Sequence, residues 1–418
     1  MSASRPARAS VAAAVVAAVA LPVFTSTASG ATVLPVITPV PFAAAAPGAT
    51  PAQSKPDDVT VLDGHVFTPF QNGVGPNGEP TSGGVTQSTV AEYDAAGTQV
   101  ATYLLTGRCD GLTADPVNHR VLASINEDSN SSLAVITPTT RTAAGTVTSY
   151  SYSPSPTQTS STDTTAHGGT DSLSLGPDGS VYVSHSNPNT GVAGTAAIYQ
   201  VTLSGRTAAL RTVLAVDAAA TDAVTGQPVT LALTDLDSNR YIPGSAPVLP
   251  GTLLQVAQGD HQLLEVTAPG TPGQQVKQLT LTNAEPNTAP PTPDDIVEVT
   301  GPGTLYTVDQ GAGTIQSIDT SGFTPGTLVV AQPADASTSP ATPGRLGVLD
   351  PATGIITHFP NTFSSPKGLA FVPKAATPPT AVPELTSPAL LPLAALGLLG
   401  PLGAATTQRT RRRRTGTL

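Results

Sequence analysis

The stretch RCDGLTADPVNHRVLASINEDSNSSLAVI, residues Arg108–Ile136, decides the fold. Asp110 opens a short apolar run, DPVN turns the chain, and RVLASI runs back as a second strand. After a polar loop, SLAVI (Ser132–Ile136) gives a third strand, and TVTSYSY from Thr146 a fourth. Short Val-, Ile- and Tyr-rich runs separated by Pro, Asn, Asp and Gly are antiparallel strands joined by turns.

The same grammar returns along the chain. TDSLSLGPDGSVYVSHSN starts at Thr170, TDLDSNRYIPGSAPVLPGTLLQVAQGD at Thr234, and DDIVEVTGPGTLYTVDQG at Asp294. Third strands follow as AIYQV, QLLEV and TIQSI, and LRTVLAV and VKQLTL add fourth strands after the first two of these. The intervals Asp110–Asp171, Asp171–Asp235 and Asp235–Asp295 are 61, 64 and 60 residues. Four short strands per repeat predict an all-β chain, a single β-propeller of four-stranded antiparallel blades. Six blades fit these intervals, with five and seven as the alternatives. SPKGLAFVP (Ser365–Pro373) reads as a first strand without a blade, and His65–Leu105 as a blade without a first strand. Joining the C-terminal strand to the N-terminal blade closes the ring and removes the open sheet edges.

Composition agrees. The 418 residues include 39 Gly and 42 Pro, and only 11% are charged, which disfavours long helices. The formal net charge is −10. Seven of the 18 basic residues lie near the two ends, leaving 11 against 27 acids between them. That surface repels phosphate backbones, so nucleic acid is excluded as a partner. One cysteine, Cys109, allows neither an internal disulfide nor a Cys-rich zinc site. Beside Asp110 it would be a poor nucleophile, and it reads as a small buried thiol.

The ends carry transport signals. Arg5 and Arg8, an apolar run from Val11 to Phe24 and small residues near Ala28–Ala31 have the form of a secretory signal, assigned to 1–30. An Ala/Pro-rich linker, 31–58, precedes the propeller at 59–373, and a second linker covers 374–384. Leu385–Ala405 is uncharged and long enough, as a helix, to cross a bilayer; an Arg-rich cytoplasmic tail, 406–418, follows. VPEL (Val382–Leu385) resembles a relaxed Pro-Glu-Pro-type sorting motif, with Leu385 in place of the second Pro. The chain is thus expected to be exported and monomeric, with 385–405 a transmembrane or sorting segment that holds it at the surface or membrane or, once processed, releases it.

Starts of first strands and ends of second strands share one face of a propeller. That brings Asp110, Asp171, Asp235 and Asp295 around one mouth, with Asn126, Glu127, Asp128, His185, Asn187, Asp260 and Asp309 nearby and Lys367 in the closing strand. Such hard oxygen donors suit Ca²⁺ or Mg²⁺. Equally, an Asp repeated before a strand serves to bond backbone N–H groups in its own turn. His167 and His185 are the candidate acid–base residues. GVGPNGEP matches G-x-G-x-x-G at Gly73, Gly75 and Gly78, but a Pro-containing loop with no helix after it is no nucleotide site.

DGLTADPVNHRVLASINEDSNSSLAVI and GRLGVLDPATGIITHFPNTFSSPKGLAFVP resemble bacterial exported propellers of the NHL/YncE-like, SMP-30/gluconolactonase and streptogramin-lyase groups. The resemblance covers roughly 59–373 and lies in blade grammar. It implies a mouth where Asp171, Asp235, Asp295 and Asn126 match carboxylate and amide metal ligands, and where a histidine acts in lyases. Two functions follow as expectations. One is a binding or scaffolding module for a small molecule, glycan or protein; the other is a divalent-metal-dependent hydrolase or lyase.

Overall fold

In the computed structural model, residues 34–46, 48–138, 145–156, 168–286, 288–338 and 341–374 are described. The leader, His167 and everything after Lys374, the apolar segment and Arg-rich tail included, lie outside them. Among the described residues no helix is long and apolar enough to cross a membrane.

Among the described residues every strand from Val40–Ala44 to Pro366–Pro373 pairs with a neighbour, and the pairing resolves into six four-stranded antiparallel units. The first holds Thr60–Leu62, His65–Phe70, Gln87–Tyr93 and Gln99–Thr106; the second Cys109–Asp115, Arg120–Ile125, Ser132–Thr137 and Thr146–Ser153. The third runs from Leu173–Leu175 to Thr207–Ala215, and joins the second through a parallel contact of 207–209 with 151–153. The fourth runs from Leu236–Tyr241 to Gln275–Thr280, with a hairpin, Ala219–Asp222 and Pro228–Thr230, on its outer edge.

Core formation follows the sheets. Six clusters of buried side chains fill six gaps, one between each unit and the next. Leu62, Val90 and Leu105 meet Val121 and Ile136 between the first and second units. Val66, Phe70 and Ala91 meet Val308, Ile315 and Ala370 between the first and the sixth. Strands covered on both sides bury every residue, as in Thr252–Ala257, whereas outermost strands such as Gln275–Thr280 alternate with solvent. Removing this apolar area from water is the main stabilising term, and ring closure lets every sheet use both faces.

The last two units depart from sequence order. Asp295–Val299 pairs with Thr327–Gln332, then Gly344–Leu349 and Ile355–Phe363. The hairpin Gly303–Asp309/Thr314–Asp319 leaves to join Pro366–Pro373 on one side and Val40–Ala44 on the other. DIVEV and TLYTVD are therefore not two strands of one blade. Sequence neighbours usually pair, but Gly303 lies flush against the backbone of Val372, where any side chain would collide. The ring is closed in one sheet by both ends of the described chain. Pro366–Pro373 does not complete the 65–106 unit, because Thr60–Leu62 already does. The Ala/Pro-rich linker is corrected likewise: Val40–Ala44 is a strand, and Phe42 packs edge-on to Tyr306 at 5.0 Å.

Candidate functional site at the axial mouth

Each unit places its innermost strand at the axis, and a residue at or beside the start of that strand faces the centre. These residues are Asp57, Asp110, Asp171, Asp237, Asp294 and Lys367. The five aspartates line a cavity of about 10 Å³, the size of one water or ion. It opens into a mouth of about 280 Å³ walled by Arg108, Glu127, Asp128, Asp235, Ser186, Gln258 and Lys367 together with members of the ring.

The inner strands pack too tightly for bulk behind the ring. Gly111, Ser172, Ser238 and Gly368 follow four ring positions. A Cβ at Gly111 would stand 2.7 Å from Asp171 O, and one at Gly368 2.5 Å from Asp58 Cα. Asp58 and Asp295 follow the other two, and both turn to the backbone. Asp58 Oδ2 accepts from Leu112 N at 2.6 Å. Asp295 accepts from Ile296 N and Leu369 N, each at 2.7 Å, and from Arg240 Nη2 at 2.8 Å.

Charges are held to one another. Lys367 Nζ lies 2.9 Å from Asp57 Oδ1 and 3.0 Å from Asp294 Oδ1. Arg108 pairs with Asp110, Nε to Oδ1 at 2.9 Å, and with Glu127. Gln71 donates to Asp110 Oδ1, Gln310 to Asp57 and Gln258 to Asp237. Asp110 Oδ2 is buried without a hydrogen-bond partner. Burial, then neighbouring charges led by carboxylates, raise Asp110, Asp171 and Asp237 well above the usual carboxylate range. Asp294 is pushed up to about 7 by burial, against the pull of Lys367. Burial works to lower Lys367, but Asp294, Asp57 and Asp237 hold it well above its ordinary value.

Among the residues expected at the mouth, Asp110 and Asp171 are in the ring. Asp235 stands exposed on the rim, two residues from the ring position, which Asp237 occupies. Asp295 is one residue past its ring position and bonded as described. Asn126 spends both polar ends on the backbone, accepting from Arg108 N and donating to Asn130 O, so it caps a turn. His185 is fully buried, with Nδ1 2.7 Å from Ala196 O and its ring against Tyr199; it does not face the mouth. Cys109 is packed in the core, its thiol raised well above the ordinary value by burial and then by Asp110. Among the described residues, no three His, Cys, Asp or Glu side chains are arranged to hold a metal ion.

Asp57, Asp237 and Asp294 were not singled out from the sequence. The signal that finds most of the ring is the dipeptide of a charged residue and a small one: Asp110-Gly111, Asp171-Ser172, Asp237-Ser238 and Lys367-Gly368. A larger cavity, about 760 Å³, lies at the opposite ends of the inner strands. Its charged groups stand apart, with Arg240 held by Asp295, Ile296 O and Leu369 O, and Asp63 paired with His119.

No family model matches the chain, and no curated protein matches it. Solved structures do. A periplasmic gluconolactonase of Pseudomonas aeruginosa aligns over 77% of this chain and 89% of its own, at 14% identity and a TM-score of 0.42. An inactive virginiamycin B lyase of Staphylococcus aureus, crystallised with quinupristin, aligns over 80% and 96%, at 13% and 0.37. A protein of unknown function from Bacteroides caccae aligns over 76% and 87%, at 7% and 0.41. This chain is a β-propeller. The fold is read from its own sheets and the chemistry from its own mouth.

Proposed function

We propose that the acidic mouth of the propeller is its working site and carries out acid–base chemistry, of hydrolase or lyase type, on a small hydrophilic molecule. One observation carries the reading: Asp294 and Asp57 grip the same ammonium from two sides, where burial pushes Asp294 up to about 7. A carboxyl that keeps its proton to neutrality beside a lysine-bound carboxylate offers a donor and an acceptor in one mouth. A space of about 280 Å³ with these walls suits a ligand rich in hydroxyl or amine groups. Divalent-metal chemistry is no part of the proposal, since no three His, Cys, Asp or Glu side chains among the described residues are arranged to hold one ion.

A surface-retained binding module is the second reading. It is favoured by the ion pairs Arg108–Asp110 and Lys367–Asp57, which fix the mouth as a rigid recognition surface. Export and retention belong to both readings and rest on the leader and tail sequences.

Titrimetric assay of polyhydroxylated lactones and esters, with calorimetry on the same compounds, separates the two. The expected result is turnover with a limb near pH 7, reduced by about a hundredfold or more in Asp294→Asn. Saturable binding without turnover favours the module, and neither binding nor turnover overturns both.

A further inference from the structure

We propose that Lys367 is the resident cation of the axial site, its ammonium standing in for the divalent ion that a ring of carboxylates would otherwise gather. The inference rests on the geometry of the mouth and not on turnover, so it survives failure of the enzymatic reading.

Six inner strands bring six equivalent positions to the axis. Five carry aspartate, and the sixth carries the one side chain able to end in a positive charge among them. Lys367 Nζ bonds Asp57 Oδ1 and Asp294 Oδ1 from its own ring position. It is tethered by the strand Pro366–Pro373, so the positive charge is held there without recruitment from solution. A second observation stands beside it: Asp110, 3% exposed and part of the cavity wall, pairs with Arg108 through Oδ1 and leaves Oδ2 without a hydrogen-bond partner. The cavity of about 10 Å³ has room for one small ion or water and no more. Among the described residues, which include Lys367, no three His, Cys, Asp or Glu side chains are arranged to hold a metal ion. Without the ammonium, two carboxylates lose their counter-charge, and a hard divalent ion is the species that satisfies several at once.

The test uses the full chain with Lys367→Met and Lys367→Gln, calorimetric titration with CaCl₂ or MgCl₂, and melting in EDTA against millimolar CaCl₂. Expected are no saturable divalent binding by the wild type and an unchanged melting temperature. Each variant should bind one Ca²⁺ and melt higher in CaCl₂ than in EDTA. Ca²⁺ binding by the wild type as tight as that of the variants overturns the proposal, as does a folded variant that binds none. If neither variant folds in EDTA, refolding in CaCl₂ decides: recovery supports the assignment, and failure to recover overturns it.

Discussion

Asp235 and Asp237 lie two residues apart and differ in place and partners. Asp237 is part of the axial ring, raised by burial and by Asp294, and bonded by Gln258 at 2.7 Å; Asp235 is an exposed rim residue. Asp235→Asn is therefore expected to leave stability within about 0.5 kcal/mol of wild type, as for ordinary surface changes, by denaturant titration. Gly111→Val should cost about 1–3 kcal/mol or more in the same measurement, because its side chain would push on the Asp171–Ser172 backbone. The sequence showed that aspartates gather at a mouth. It did not show which ones, because apolar pattern fixes a strand's face only to within the slack of its ends. The small residue behind four of the six ring positions carries much of the missing information, as a trace of how closely the inner strands approach.

At the scale of elements, the repeats opening at Asp110, Asp171 and Asp235 were legible because each folds on neighbours within its own segment. The unit built from Pro366–Pro373, Gly303–Asp319 and Val40–Ala44 was not. Its partners lie far apart in sequence, and local periodicity does not report partners. The same distance explains why an Ala- and Pro-rich stretch passed for a tether: Val40–Ala44 is strand-like only once Thr314–Ser317 is beside it. Phe42 is half-buried between Tyr306 and Tyr93, at 5.0 and 6.3 Å. Phe42→Ala should cost about 1–3 kcal/mol in denaturant unfolding, less than for a fully buried phenylalanine. No loss would mean that this strand does not contribute to closing the ring.

The whole molecule carries its electrostatic stress at the axis. Asp110, Asp171, Asp237 and Asp294 all bind protons more tightly folded than unfolded. For an acid raised in this way the native state holds more protons above the unfolded pKa. Stability then falls as pH rises from about 4 toward the folded value, which is about 7 for Asp294. Exposed carboxyls such as Asp178 and Glu79 shift the other way, but they are local turn residues facing water. The melting temperature is expected to be higher at pH 5 than at pH 8, and Asp294→Asn should flatten that dependence. A melting temperature that climbs between pH 5 and pH 8 would show that the ring is ionised at little cost.

The order of the chain gives the ring one more consequence, in the timing of its assembly. Asp57 is the first ring position to be synthesised and Lys367 the last, and Lys367 sits on the strand that completes the final sheet. A partly made chain therefore holds five carboxylates and no ammonium to reconcile them. The ammonium that bridges Asp57 and Asp294 thus arrives on the same strand that completes the circle.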